Sequence, residues 1–193
     1  MFVYVFSITN ESLGSIGTHL KNLRDFRLVV LPNVRDTISD EPFDNGVRDL
    51  LMGFGKLIKF AFILRGLGDL TDDGLEYIGQ HSQNVRWMLL GSAGDSDEGL
   101  YKLSQGCPCL KKLEMVDCIF SESALKNALN NMETIRYLFI LEYDELVRDG
   151  SLVRDDPRWN IEIIRPENPA PHILAYYSLD GQRADLTDSV VRY

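Results

Sequence analysis

The chain has 193 residues, 45% hydrophobic and 25% charged, the proportions of a soluble globular protein rather than of a disordered or fibrous one. Its 20 basic and 29 acidic side chains give a net charge of -9, which argues against a module that grips nucleic acid or an anionic membrane. No run reaches the roughly 18 to 20 apolar residues of a membrane span, and the opening MFVYVFSITNES has neither a basic n-region nor a small-residue cleavage site.

In chain order, the first residues read as a strand carrying Tyr4. Apolar phrases follow at Leu23, Phe26 and Leu28, and at Leu57, Phe60 and Phe62. Thr71 is a suitable N-cap for a helix holding Leu75 and Ile78, because its hydroxyl can accept from the first free helix amides. A strand with Val85, Met88 and Leu90 comes next. The same order then repeats as Ser96, Leu100 and Leu103 before Leu110, Leu113 and Met115, and again as Ser121, Leu125 and Leu129 before Ile135, Leu138 and Ile140. Each N-cap and each strand in these three units stands 25 residues after its counterpart. Intervals of 34 and 28 residues between the earlier strands predict longer loops there. Residues 142–193 leave the register, although Trp159, Ile161 and Ile163 alternate as one last strand.

A strand and helix repeating every 25 residues or so, with apolar residues as L-x-x-L-x-L, is the leucine-rich repeat. The predicted fold is therefore α/β: a segment of a solenoid horseshoe with a parallel concave sheet and outer helices. Residues 1–141 supply about five strand-helix units, and 142–193 the C-terminal cap. LTDDGL and GCPCLKKLEMVDC carry the spacing of the cysteine-containing subclass. Cys107 and Cys118 are expected as core thiols. With Cys109 they make three cysteines within twelve residues and no nearby histidine, which leaves a zinc shell half empty.

Successive strand residues point to opposite faces. If Phe60 and Phe62 face the core, then Ala61, Ile63 and Arg65 line the concave surface, and so do Tyr4, Arg27, Trp87, Leu89, Glu114 and Val116. An aromatic and apolar patch beside two arginines predicts a pocket for an amphipathic anion. Arg27 and Arg65 are its anion contacts, and Tyr4, Trp87 and Leu89 its walls. The charge supports this placement: residues 1–65 hold eight basic and seven acidic groups, whereas 66–141 and 142–193 each hold six and eleven. His19, His81 and His172 are scattered, and no G-x-S-x-G, H-E-x-x-H or phosphate-loop phrase is present, so the expected role is not enzymatic.

The runs YVFSITNESLGSIGTHLKNLRDFRLVVL (4–31), DNGVRDLLMG (44–53), LTDDGLEYIGQHSQNVRWMLLG (70–91), SDEGLYKLSQGCPCLKKLEM (96–115), WNIEII and HILAYYSLDGQR resemble the C-terminal third of the plant coronatine-insensitive family of jasmonate receptors. These are F-box leucine-rich-repeat subunits of ubiquitin ligases of the SCF type. The resemblance implies binding of jasmonoyl-isoleucine under a degron of a jasmonate ZIM-domain repressor, with an inositol phosphate beneath, in a protein of nucleus and cytoplasm. It implies that Tyr4 contacts the ligand, that Arg27 bridges hormone and inositol phosphate, that Arg65 is a basic residue of the pocket, and that Trp87 and Leu89 form a repressor-contacting and ligand-lining pair.

Two residues depart from the family pattern. Ile63 stands for a tyrosine and Val116 for an arginine, which removes a hydroxyl donor and a cation. Loss of a charge-assisted hydrogen bond costs about 1.5–3 kcal/mol, so hormone affinity is expected to fall. The F-box and the earlier repeats have no counterpart in these residues. The Skp adaptor is therefore not an expected partner, and a chain starting inside the stack is expected to expose the apolar edge of its first strand. The alternatives to a partial receptor are a truncated inactive copy, an incomplete gene model, or a binding module that competes without ligase activity.

Overall fold

The computed structural model describes residues 1–5, 7–30, 41–64, 70–117, 119–141, 160–165 and 168–176. Strands and helices alternate along the chain: β1 (Phe2–Val5), α1 (Asn10–His19), β2 (Asp25–Val30), α2 (Asp44–Gly53), β3 (Lys59–Leu64), α3 (Asp72–His81), β4 (Trp87–Gly91), α4 (Asp97–Ser104), β5 (Lys112–Val116), α5 (Glu122–Asn131) and β6 (Tyr137–Leu141). Two further strands, β7 (Asn160–Arg165) and β8 (Asn168–Tyr176), end the series. Spatial order follows chain order from β1 to β8. Pairing is parallel as far as β7, and β8 runs antiparallel to it. This open, sequentially ordered parallel sheet is a leucine-rich-repeat solenoid segment. Among the described residues no helix is long and apolar enough to cross a membrane.

The apolar positions of the repeat do what their spacing predicts. Val85, Met88 and Leu90, Leu110, Leu113 and Met115, and Ile135, Leu138 and Ile140 are all buried. They share one core with helix residues Leu75, Ile78, Leu100, Leu103, Leu125 and Leu129, which puts the helices together on the sheet face opposite the concave one. Register repeats the arrangement from strand to strand: Phe26 lies beside Phe60, then Met88, Leu113 and Leu138. In the earlier, looser repeats phenylalanines fill the larger space. Phe26 and Phe60 stack with centroids 6.1 Å apart, and Phe60 and Phe62 at 6.3 Å. Cys107 belongs to this core, and burial pushes its thiol up to about 12. Cys118 lies outside the described residues. Cys109 is exposed. At about pH 8 iodoacetamide is therefore expected to alkylate Cys109 in the folded protein and Cys107 only after denaturation, as peptide mapping would show.

Thr71, Ser96 and Ser121 cap α3, α4 and α5, their side chains accepting from the backbone N–H groups of Asp73, Glu98 and Ala124. Each cap is itself held by the repeat before it. The Asp44 carboxylate accepts from the Thr71 N–H at 2.9 Å and its hydroxyl at 2.6 Å. Asp72 does the same for Ser96, at 3.0 and 2.5 Å, and also accepts from the Asp95 N–H at 2.8 Å. Asp97 holds Ser121 at 2.8 and 2.6 Å. Asn10 of α1 instead reaches into the first turn of α2, accepting from the Gly46 N–H at 2.9 Å. The acidic clusters at the helix starts thus complement the helix dipoles and also tie each repeat to its neighbour. Asp72 loses ionisation energy to burial, but its bonds from Ser96 and the Asp95 and Ser96 amides outweigh that and hold its carboxyl below the ordinary 3.8.

Candidate functional site

The residues that point away from the core form three rows across the concave sheet. Asp25, Lys59, Trp87, Lys112 and Tyr137 align near the strand starts. Arg27, Ala61, Leu89, Glu114 and Phe139 align in the middle. Tyr4, Val29, Ile63, Gly91 and Val116 align beyond them.

Charge and aromatic surface are paired within this floor. Arg27 donates from Nε and Nη2 to the two oxygens of Asp25, at 2.8 and 2.9 Å. Its guanidinium carbon lies 4.9 Å from the ring centroid of Trp87, two strands away. The intervening residue of the middle row is Ala61, whose single methyl is 2% exposed and leaves space for a long side chain to cross β3. Farther along, Lys112 pairs with Glu114 and stands 4.6 Å over the ring of Tyr137. Hydrogen bonding to Arg27 holds the Asp25 carboxyl below its ordinary value. The bond to Asp25, aided by the charges of Asp25 and Glu114, raises Arg27.

These directions fix the sign of an acid response. Asp25 and Asp72 both titrate below 3.8 when folded, so each adds stability above that pH which is lost as pH falls through the folded value. The urea midpoint is expected to hold steady from about pH 7 to 5 and to drop between about pH 4 and 3, with a smaller drop in Asp72→Asn.

Four of the five predicted site residues, Tyr4, Arg27, Trp87 and Leu89, lie on the concave side of β1, β2 and β4. Arg65 lies outside the described residues. The structure brings Arg27 directly against Trp87 and puts Leu89 in the same row as Arg27. Tyr4, 62% exposed, sits on the first strand, one row away from Arg27 and three strands from Trp87. Ile63 and Val116, the two departures from the family pattern, flank Gly91 in one row, where a side chain at Gly91 would run into Ile63. That stretch of floor is apolar.

Sequence reasoning missed Asp25, Lys112 and Tyr137. The signal for the first two was present: Asp25 and Arg27, like Lys112 and Glu114, are opposite charges two apart on a strand, hence on one face. A groove also runs between α1 and α2, lined by Gly14, Ser15, Thr18, Asp49 and Met52, and it contains none of the concave residues.

No family model matches the chain. Over 98% of its length it is 53% identical to Coronatine-insensitive protein 1 of Arabidopsis thaliana, covering 34% of that protein. It is 47% identical, again over 98% of its length, to Coronatine-insensitive protein homolog 2 of Oryza sativa subsp. indica, covering 33%. Identity to GRR1-like protein 1 of Arabidopsis thaliana is 36% over 94% of this chain and 32% of the relative. The chain thus spans about a third of the length of the curated relatives it matches.

Proposed function

The chain is a homologue, over nearly its whole length, of the jasmonate-receptor-like coronatine-insensitive leucine-rich-repeat proteins, and we propose that its concave floor is a receptor surface of that kind, binding and not catalytic. On this reading Arg27 offers hydrogen bonds to the carboxylate of jasmonoyl-isoleucine, with Arg65 as a second anion contact. Trp87 and Leu89 form an apolar wall, Tyr4 closes the far side, and the degron of a jasmonate ZIM-domain repressor covers the ligand. An inositol phosphate is a further candidate ligand. The protein would act in substrate recognition for an SCF-type ubiquitin ligase, in nucleus and cytoplasm.

The observation that carries the reading is the Arg27 guanidinium laid over Trp87 in the middle of the concave floor. Such an arrangement joins a forked donor to an apolar plane, which suits an amphipathic anion. A second reading is favoured by the apolar row of Ile63, Gly91 and Val116, where a polar end of the hormone would find no donor from these side chains. There the chain would hold repressor without hormone and compete with longer relatives. A pull-down of repressor by the 193-residue chain, with and without jasmonoyl-isoleucine, separates the two. Hormone-dependent retention supports the first reading, equal retention supports the second, and no retention in either arm contradicts both.

A further inference from the structure

We propose that Asn45 is a deamidation site whose rate is set by a hydrogen bond between two repeats, from the Gly46 N–H to Asn10. Asn45 and Gly46 form the one Asn-Gly pair in the sequence. Asn45 is exposed in the first turn of α2, and the glycine after it has no Cβ to obstruct attack by its own amide nitrogen. In that reaction the Gly46 nitrogen gives up its proton and bonds to Cγ of Asn45. The Cγ–Nδ2 bond breaks, and the side-chain nitrogen leaves as ammonia with a proton. Water then opens the resulting succinimide at either carbonyl. One opening leaves aspartate at position 45. The other leaves isoaspartate, with the main chain rerouted through the side chain and longer by one methylene.

The fold holds this reaction back at the attacking atom. The Gly46 nitrogen donates to Asn10 Oδ1 at 2.9 Å, and the Asn10 amide is itself anchored by donating from Nδ2 to the Pro42 carbonyl at 3.0 Å. Phe43 at the N-cap makes no side-chain hydrogen bond, so this turn is capped from the neighbouring repeat. Helical backbone angles also keep the Gly46 nitrogen off the line of attack on Cγ, and the turn must open before the bond can form. A bulkier residue cannot simply replace the glycine: a Cβ at Gly46 would lie 2.5 Å from Asn10 Oδ1 and 2.8 Å from Leu13 Cδ1. The close approach of α1 that demands glycine thus also supplies the lock on it. Reaction here strikes at the stack, because Asp44 holds Thr71 of the next repeat while Gly46 holds Asn10 of the one before. An extra methylene between them displaces one bridge or the other.

The test is incubation of the full chain at about pH 8 and about 37 °C, with aspartate and isoaspartate at position 45 followed by peptide mapping and mass spectrometry. Asn45 is expected to react faster in the urea-unfolded chain than in the folded one, and there to outpace the other asparagines. Asn10→Ala should raise the folded-state rate by about three- to tenfold, the effect of losing one hydrogen bond that opposes opening. Asn10→Ser, which also removes the amide, should do the same and covers the case in which alanine disturbs folding. Asn10→Asp keeps an acceptor for the Gly46 N–H and should stay closer to the original rate. Asp72→Ala, whose lesion lies between α3 and α4, should leave the rate unchanged, which separates local opening from a general loss of stability. A rate unmoved by Asn10→Ala and Asn10→Ser, or equal acceleration by Asp72→Ala, overturns the role of Asn10. An Asn45 that does not react in the unfolded chain overturns the site itself.

Discussion

Replacing Asp72 by alanine is expected to lower the unfolding free energy by about 2–3 kcal/mol, a large share of the 5–15 kcal/mol typical of a domain. Its carboxylate accepts from the Asp95 N–H, the Ser96 N–H and the Ser96 hydroxyl, at 2.8, 3.0 and 2.5 Å. Hydrogen bonds to a charged group are each worth roughly 1.5–3 kcal/mol, which would sum to more. Asp95 and Ser96 are exposed, however, so water can satisfy their freed amides and the net cost falls to the lower figure. The hydroxyl of Ser96 also caps α4 by accepting from the Glu98 N–H at 3.2 Å, and Asp72 is what orients it. Because a solenoid is stabilised by nearest-neighbour interfaces, the loss acts on the coupling between α3 and α4. Urea unfolding should show a lower midpoint together with a broadened transition. A midpoint within error of the unsubstituted protein would mean the bridge contributes nothing net.

Gly99→Ala is expected to cost about 2 kcal/mol or more, although alanine favours a helix interior by about 1 kcal/mol over glycine. A Cβ at Gly99 would overlap the Asp72 carboxylate oxygen, and would lie 2.8 Å from its Cγ and 2.9 Å from Leu75 Cδ1. The carboxylate cannot swing aside without giving up the bonds just described. The two substitutions should therefore be strongly non-additive: in an Asp72→Ala background the clash with the carboxylate is gone, and Gly99→Ala should cost less than about 1 kcal/mol. Gly74 stands in the same relation to Asp44. At the corresponding place in α5 the chain has Ala124, and there Ser121 accepts from the N–H three residues on instead of two, so the helix starts differently. Additive costs in the double variant would contradict this account of the glycines.

Much of the fold was written in the spacing of apolar residues. The 25-residue interval between Val85, Leu110 and Ile135 and the caps Thr71, Ser96 and Ser121 predicted strands and helices that the structure contains, because each unit buries its apolar residues only by stacking on the next. The bridges between repeats were less visible. Asp72 and Ser96 are 24 residues apart, and an aspartate at a helix start already has an explanation in the dipole, so its second partner emerges only when the helices are set side by side. The recurring Asp-x-Gly at Asp44, Asp72 and Asp97 carried that information, since each glycine makes room for the acidic or amide group of the preceding helix.

The candidate site was legible as a face and less so as a set of contacts. Alternation alone put Tyr4, Arg27, Trp87 and Leu89 on the concave side, because parallel register preserves facing from strand to strand. What it could not supply was the reach of a long side chain across a neighbouring strand. Arg27 meets Trp87 only because Ala61 lies between them, and it meets Asp25 because the two share a face of β2. An arginine read as an open fork is thus one already held on one edge.

The most direct test of the concave floor as a ligand surface uses the indole that lies in it. The chain has two tryptophans, so a Trp159→Phe variant leaves Trp87 as the only indole to follow when excitation is chosen to avoid tyrosine. Titration with jasmonoyl-isoleucine should change Trp87 fluorescence saturably, and the change should disappear in the Arg27→Ala form of the same variant. A flat titration in the variant that retains Arg27, with its fold intact by thermal unfolding, would contradict the account.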